Sequence, residues 1–296
     1  MEMQKTWFVT GSSRGFGRAV VRAALGNGNS VAATARRPER LDDLVAEFGD
    51  RIYPIGLDVA DPDAVQDSVS EAWQRFGRLD VVVNNAGYAN VAPIETGDAA
   101  DFRAQFETNF WGVYHVSKAV IPLLRKQGGG VIIQFSSIGG RVGGTPGIAS
   151  YQAAKFAIDG FSRVLRAETA PFGIKVLVVE PSGFSTDWAG SSMTVHAIPD
   201  IYSDTVGVMN TVMRQPDAGA AGDPERAAQI LVQIADRKSL PEHLPLGVNA
   251  AESAIQADLQ LLHDDLTWRR VSRSADYAEP YPVQFPADCA SKVGTS

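Results

Sequence analysis

The chain lacks the features that mark several large protein classes. It has one cysteine, Cys289, in 296 residues, so no disulfide can close within it. That usage fits a reducing compartment, and a cytoplasmic protein is expected. No apolar run approaches the roughly 18 residues that a membrane-spanning helix needs. The strand-like run TWFVT begins at Thr6, which leaves no room for a secretory signal, so a mature N-terminus is expected. Lys and Arg number 27 against 34 Asp and Glu, for a formal net charge of -7, and no basic block stands out. Nucleic-acid binding therefore has no electrostatic support. No internal repeat is visible, and no metal site is expected.

What is present is alternation. Short β-branched runs occur at Thr6–Thr10, Ser30–Ala35, Ile52–Leu57, Asp80–Asn84, Val131–Ser136, Lys175–Glu180 and, more weakly, Leu244–Val248. Several are apolar at nearly every position, as strands covered on both faces should be. Amphipathic stretches lie between them at Gly15–Asn27, Glu39–Phe48, Pro62–Phe76, Ala100–Lys126 and Tyr151–Phe172. This order predicts βαβ units and a single doubly wound, Rossmann-type α/β domain on a seven-stranded parallel sheet. Ligands in such a fold sit at the carboxyl ends of the strands. Residues 183–222 are long for a connection and read as a lid, with a weak helix signal at Tyr202–Met213. A capped helix is expected over Gly222–Asp236 and a C-terminal helix over Ala250–Val271. The domain is expected to span 1–275, and an irregular tail 276–296.

The segment TGSSRGFG, Thr10–Gly17, follows the first strand and opens a helix. Glycines at 11, 15 and 17 permit a tight turn and close approach of a pyrophosphate to a helix N-terminus. A plain glycine turn is the alternative. The second strand ends ATARRPER, with no acid to meet a ribose 2′-hydroxyl. Arg36 and Arg37 follow it, and Arg14 lies in the glycine loop. Guanidinium groups there suit the 2′-phosphate of NADP. Asp58, in LDV at Leu57–Val59, could meet an adenine amino group or cap the next helix, although Asp61 is better placed to cap. The NNAG segment, Asn84–Gly87, suits a cofactor lying across the strand ends, or a simple turn.

SYQAAK, Ser150–Lys155, places a tyrosine and a lysine four residues apart on one helical face. A nearby ammonium would lower the phenol's pKa from about 10 and make it a usable acid/base. Such a pair alone is common by chance. Here it is accompanied, in order, by TGSSRGFG, LDV, NNAG, Asn109 in ETNFWG, Ser136–Ser137, and EPSGFST at Glu180–Thr186. From Thr6 to about Val271 the chain resembles the short-chain dehydrogenase/reductase family, in the branch with a G-x-x-x-G-x-G loop.

The resemblance implies that Tyr151 exchanges a proton with substrate and that Lys155 lowers its pKa and binds the nicotinamide ribose. It implies that Ser137 holds the substrate oxygen and that Asn109 helps to hold a relay water. The implied cofactor-binding set is Gly11, Ser13, Arg14, Gly15, Phe16, Gly17, Arg36, Arg37, Asp58, Val59, Asn85, Ala86, Gly87, Tyr151, Lys155, Pro181, Gly183, Phe184 and Thr186. Two departures stand out. Ser137 lies fourteen residues before Tyr151 where the family usually has thirteen, so Ser136 stays open as the alternative. The usual Pro-Gly after strand six is Pro181-Ser182 here, with Gly183 next.

An NADP(H)-dependent carbonyl reductase or alcohol dehydrogenase is the implied activity, with NAD(H) the lesser cofactor. A catalytically silent dinucleotide sensor, or an epimerase or dehydratase on the same frame, are the alternatives. Phe184, Trp188, Met193, Ile201, Tyr202, Met209 and Met213 suit a hydrophobic ketone or secondary alcohol, or else pack the lid. His196 reads as a lid residue. Apolar residues on the two long helices, such as Phe110, Val113, Val120 and Phe161, predict a homodimer or homotetramer.

Overall fold

The computed structural model describes residues 4–184, 193–214 and 222–286. Seven strands form one parallel sheet: β1 (Thr6–Val9), β2 (Ser30–Ala35), β3 (Ile52–Gly56), β4 (Val81–Asn84), β5 (Gly130–Phe135), β6 (Ile174–Pro181) and β7 (His243–Leu246). Their spatial order is β3-β2-β1-β4-β5-β6-β7. The order reverses between β1 and β4, which opens a crevice at the carboxyl ends of those strands. The expected doubly wound single domain is therefore the observed one.

Helices cover both faces: α1 (Gly15–Gly26), α2 (Asp42–Phe48), α3 (Pro62–Phe76), α4 (Ala99–Phe106), α5 (Gly112–Gln127), α6 (Ala149–Thr169), α7 (Val208–Arg214), α8 (Pro224–Ile234) and α9 (Val248–Arg273). Two apolar layers result. Trp7, Val9, Val83 and Ile133 pack with α1 and α8 on one face, and Phe8, Val82, Ile132 and Val176 pack with α3 and α5 on the other. Successive strand residues thus point to opposite, equally buried faces, which is why the strands read as unbroken apolar runs.

Four boundaries differ from the sequence expectation. Ala100–Lys126 is not one helix: a π-helical turn at Glu107–Trp111 separates α4 from α5. The Asn109 side chain turns inward there and bonds the backbone on two sides. Between β6 and α8, Asp200–Gly207 form a 3₁₀ turn and a π turn before α7 begins. The seventh strand ends at Leu246, because Gly247 at φ 95° turns the chain into α9. The segment 38–41 is 3₁₀ and precedes α2.

Asp61 caps α3, accepting hydrogen bonds from the Asp63 and Ala64 backbone N–H groups at 3.0 Å each. Asp58 is exposed, and its carboxylate accepts from the nearby Ala60 N–H at 3.1 Å. Replacing Asp61 with Ala is expected to cost about 1 kcal/mol, the usual worth of such a cap. Asp58→Ala is expected to stay within about 0.5 kcal/mol of wild type. Urea unfolding of the two variants checks this order; a larger loss for Asp58→Ala would contradict it.

Candidate active site

The loops after β1 and β4 are laced together at the crevice. The Thr10 hydroxyl oxygen accepts from the backbone N–H of Asn85 and of Ala86, at 3.0 and 3.1 Å. In return, Asn85 Nδ2 donates to the carbonyls of Thr10 and Gly11 at 3.0 and 3.2 Å. Gly11 has φ +68°, and a Cβ there would lie 2.9 Å from the Ala86 Cα. A Cβ on Gly17 would collide with the Gly11 carbonyl, so α1 can approach the loop this closely only with glycine. Arg14 at the N-cap of α1 makes no side-chain capping bond, and the first turn holds no acid. The N-terminal N–H groups of this helix therefore keep their capacity for an anionic ligand. These features fit a dinucleotide pyrophosphate beside Gly11, Ser13, Gly15 and Gly17.

Further along the crevice, Arg36 and Arg37 are exposed just past β2, and Ser12 N–H ties the glycine loop to the Thr34 carbonyl at 2.8 Å. Burial pushes up the pKa of Tyr88, Asp101 adds to that, and the Arg36 charge opposes it. The Val59 side chain is buried against Gly112, whose Cβ would fall 2.5 Å from Val59 Cγ2. Phe16 meets Phe184 and Phe135 in tilted ring contacts at centroid distances of 4.7 and 5.4 Å, and Phe16 and Phe184 both lean on the apolar core. Pro181 is buried at the end of β6, and Gly183 is exposed. Thr186 and Trp188 lie outside the described residues.

The four expected catalytic side chains converge where β4, β5 and α6 meet. Tyr151 and Lys155 lie in the first two turns of α6, both buried. Ser137 ends the short loop after β5 and shares a side-chain hydrogen bond with Tyr151. Its oxygen also accepts from the Gly139 N–H at 3.1 Å. Ser136 instead donates to the Lys155 carbonyl at 3.0 Å and faces the helix backbone. Asn109 is fully buried, and its Oδ1 accepts from the Tyr88 N–H at 3.1 Å. Gly87 lies between: a Cβ there would be 2.5 Å from Asn109 Oδ1 and 3.6 Å from Lys155 Nζ.

The electrostatics differ from the sequence expectation. Burial pushes the Tyr151 phenol up to about 12, and the Ser137 bond offsets only part of this. Burial also pulls Lys155 down to about 7. The ammonium lies 5.5 Å from the Tyr151 ring centroid and donates to the Phe135 carbonyl at 2.6 Å. In the protein alone, desolvation favours the uncharged form of both groups.

Part of the segment 193–214 packs against Tyr151. Met193 and Val206 pack with Tyr151, Ala89, Val91 and Ile148, and Tyr202 and Met213 border this group. Ile201 is 78 % exposed and lies outside it. His196 donates its backbone N–H to the Val91 carbonyl at 2.9 Å, and its ring lies 3.2 Å from the Asp101 carboxylate. It ties its segment to the residues after β4 and to α4. Sequence reasoning passed over Thr10 and over a buried amide network in which Asn84 Nδ2 donates to Gln134 Oε1 at 2.8 Å and Gln134 Nε2 donates to Ser117 Oγ at 3.1 Å. Thr10 had a signal, its place directly before the glycine loop; Ser117 and Gln134 had none. Among the described residues, no cluster of three or more His, Cys, Asp or Glu side chains could hold a metal.

Comparison with known proteins gives the family. The family model for short chain dehydrogenase matches residues 5–195. The chain belongs to the short-chain dehydrogenase/reductase family. It is 49 % identical over 271 residues to oxidoreductase BOA17 of Botryotinia fuckeliana, covering 91 % of this chain and 98 % of that one. A short-chain dehydrogenase of Streptomyces avermitilis superposes with a TM-score of 0.86 at 36 % identity, covering 94 % of this chain and all of that one. An alcohol dehydrogenase of Thermococcus sibiricus complexed with 5-hydroxy-NADP gives a TM-score of 0.67 at 25 % identity, over 82 % of this chain and 96 % of that one. As a family member the chain is an oxidoreductase of CH–OH and C=O groups that binds a nicotinamide dinucleotide.

The Lys155 shift has a direction that can be measured. Its folded pKa of about 7 lies below the ordinary 10.5. Between those values the unfolded chain holds the extra proton, so stability must rise with pH. The melting temperature of the cofactor-free wild type, relative to Lys155→Met, is expected to rise from pH 7 to pH 9. A flat or falling difference would show that Lys155 stays charged in its burial site.

Proposed function

We propose that this enzyme is an NADP(H)-dependent carbonyl reductase or alcohol dehydrogenase for a hydrophobic ketone or secondary alcohol. The observation that carries this reading is the shared hydrogen bond of Ser137 and Tyr151 beside buried Lys155, at the mouth of an uncapped glycine loop. The nicotinamide supplies the hydride when bound. Ser137 holds the carbonyl oxygen. Tyr151, kept protonated by burial, donates the proton to that oxygen as negative charge develops. Lys155 holds the cofactor ribose and, with Asn109, the path by which Tyr151 recovers its proton. The engagement of Ser136 with the α6 backbone supports Ser137 as the oxygen-binding serine.

The substrate class rests on the apolar walls that Met193, Val206 and Ile148 give the site. Phosphate selectivity rests on Arg36, with Arg14 or Arg37, and on the absence of a carboxylate at Thr34-Ala35. A cytoplasmic setting belongs to the same reading, as does a dimer or tetramer. The latter is supported by the exposed aromatic side chains of Phe102, Trp111 and Phe156; Val113 and Val120, expected on such a surface, are instead buried within the chain itself, because α5 packs them into its own core.

Two measurements test the reading. Tyr151→Phe keeps the ring and removes the proton, so NADPH binding should persist while turnover falls at least about a hundredfold, in line with general acid catalysis. Turnover within about tenfold of wild type would reject the assignment. A charge-assisted contact to phosphate contributes roughly 1.5–3 kcal/mol. Arg36→Ala should therefore lower the ratio of NADPH to NADH catalytic efficiency by at least about tenfold. Equal use of both cofactors by the wild type, or an unchanged ratio, would reject Arg36 as the phosphate ligand.

A further inference from the structure

The loop that carries Ser137 is made of residues that can hold little in place. Residues 138–144 read IGGRVGG, four glycines in seven. Gly143 and Gly144 have φ +65° and +75°, and Gly140 has no room for a Cβ, which would lie 2.5 Å from Ser136 Oγ and 2.7 Å from Lys155 Cβ. The segment is thus pressed against α6 beside the lysine, yet its own side chains offer one long polar group, Arg141.

Arg141 spans three elements. Its Nη1 donates to Glu180 Oε2 at 3.0 Å, at the carboxyl end of β6. Its Nε and Nη2 form a fork onto the carboxylate of Asp258, in the middle of α9. Glu180 is 1 % exposed and directly precedes buried Pro181. A buried carboxylate is costly unless paired, so Glu180 fixes where the guanidinium must sit. The Arg141 backbone N–H in turn bonds the Ile138 carbonyl at 3.0 Å, and the Gly140 N–H bonds the Ser137 carbonyl at 2.8 Å. One hydrogen-bonded turn therefore connects the buried ion pair to Ser137. At its far end the loop is tied down again, where Gln152 Oε1 accepts from the Thr145 N–H at 3.1 Å.

We propose that Arg141 is a positioning residue: clasped by Glu180 and Asp258, it holds the 138–144 turn so that the Ser137 hydroxyl stays against Tyr151, and it couples α9 to the reaction centre. This rests on the reading of Ser137 and Tyr151 given above. The same clasp offsets the freedom that a glycine-rich loop would otherwise have, including the extra residue between Ser137 and Tyr151. Glu180 and Asp258 share the guanidinium from opposite sides. Docking of α9 is thereby felt one turn from the reacting atoms.

The test combines Arg141→Met with Glu180→Gln, which removes the clasp without leaving a buried charge, and adds Ser137→Ala alone and in the triple variant. Amide exchange over 138–144 in the double variant should quicken at least tenfold while that of α1 stays unchanged; this readout needs no substrate. With NADPH and benzil, the double variant should lose at least tenfold in kcat with cofactor affinity within twofold of wild type. On a Ser137→Ala background the same pair of changes should lower kcat less than twofold, because the group it positions is gone. Unchanged exchange over 138–144, or a loss that multiplies in full on Ser137→Ala, overturns the proposal and leaves the reading of Ser137 intact. Wild-type turnover by Ser137→Ala itself overturns both. Should the double variant not fold, Arg141→Lys keeps the charge beside Glu180 and loses the fork to Asp258; faster exchange over 138–144 supports the clasp, and wild-type exchange rejects it.

Discussion

The parallel pairing of β1, β4 and β5 is the constraint on which the rest of the molecule depends. Phe8 pairs with Val82, and Val82 with Ile132, so the three strands run in step and their carboxyl ends finish side by side. Each end delivers one part of the site: the glycine loop after β1, Asn85–Gly87 after β4, and Ser136–Ser137 after β5. A register slip by one residue would turn every core side chain to the opposite face. Register is therefore fixed by two full apolar layers, and the site inherits that precision. The Thr10–Asn85 lacing then closes the gap between the first two ends at hydrogen-bond distance.

Within this frame the site is governed by desolvation more than by attraction between charges. Tyr151 and Lys155 are buried on the same face of α6, and burial shifts both pKa values so as to favour the uncharged form of each group. A phenol so placed stays protonated at neutral pH. A lysine poised near 7 is sensitive to any charge that enters the crevice. The protein stabilises both by local bonds, Ser137 to the phenol and the Phe135 carbonyl to the lysine. That explains why neighbouring turns have so little slack, with glycines at 87, 139 and 140 set against functional side chains.

Much of this was legible in the sequence, for particular reasons. The strands could be read because burial on both faces leaves unbroken apolar runs such as VVVN and GVIIQF. The helices α3 and α8 could be read because Asp61-Pro62 and Asp223-Pro224 announce their caps, and both caps form. The Tyr151–Lys155 spacing put both side chains on one face. The π turn at Glu107–Trp111 could not be read, because it arises from long-range bonds of Asn109 to Tyr88 and leaves the helical periodicity almost unchanged. The pKa pattern was misread for a similar reason: spacing gives proximity along a helix, whereas burial is a property of the assembled fold. The pairing of Arg141 with Glu180 and Asp258 joins residues 39 and 117 positions apart and has no local signature.

The central claim is that the chain moves a hydride between a nicotinamide and a carbonyl carbon at this crevice. The most direct measurement uses NADPH deuterated at the transferable position, with a panel of aryl ketones, α-diketones and steroid ketones, and mass spectrometry of the products. A single deuterium on the carbinol carbon of the alcohol formed is the predicted result. Formation of no alcohol from any carbonyl of the panel, or of alcohol carrying no deuterium at that carbon, would contradict the account.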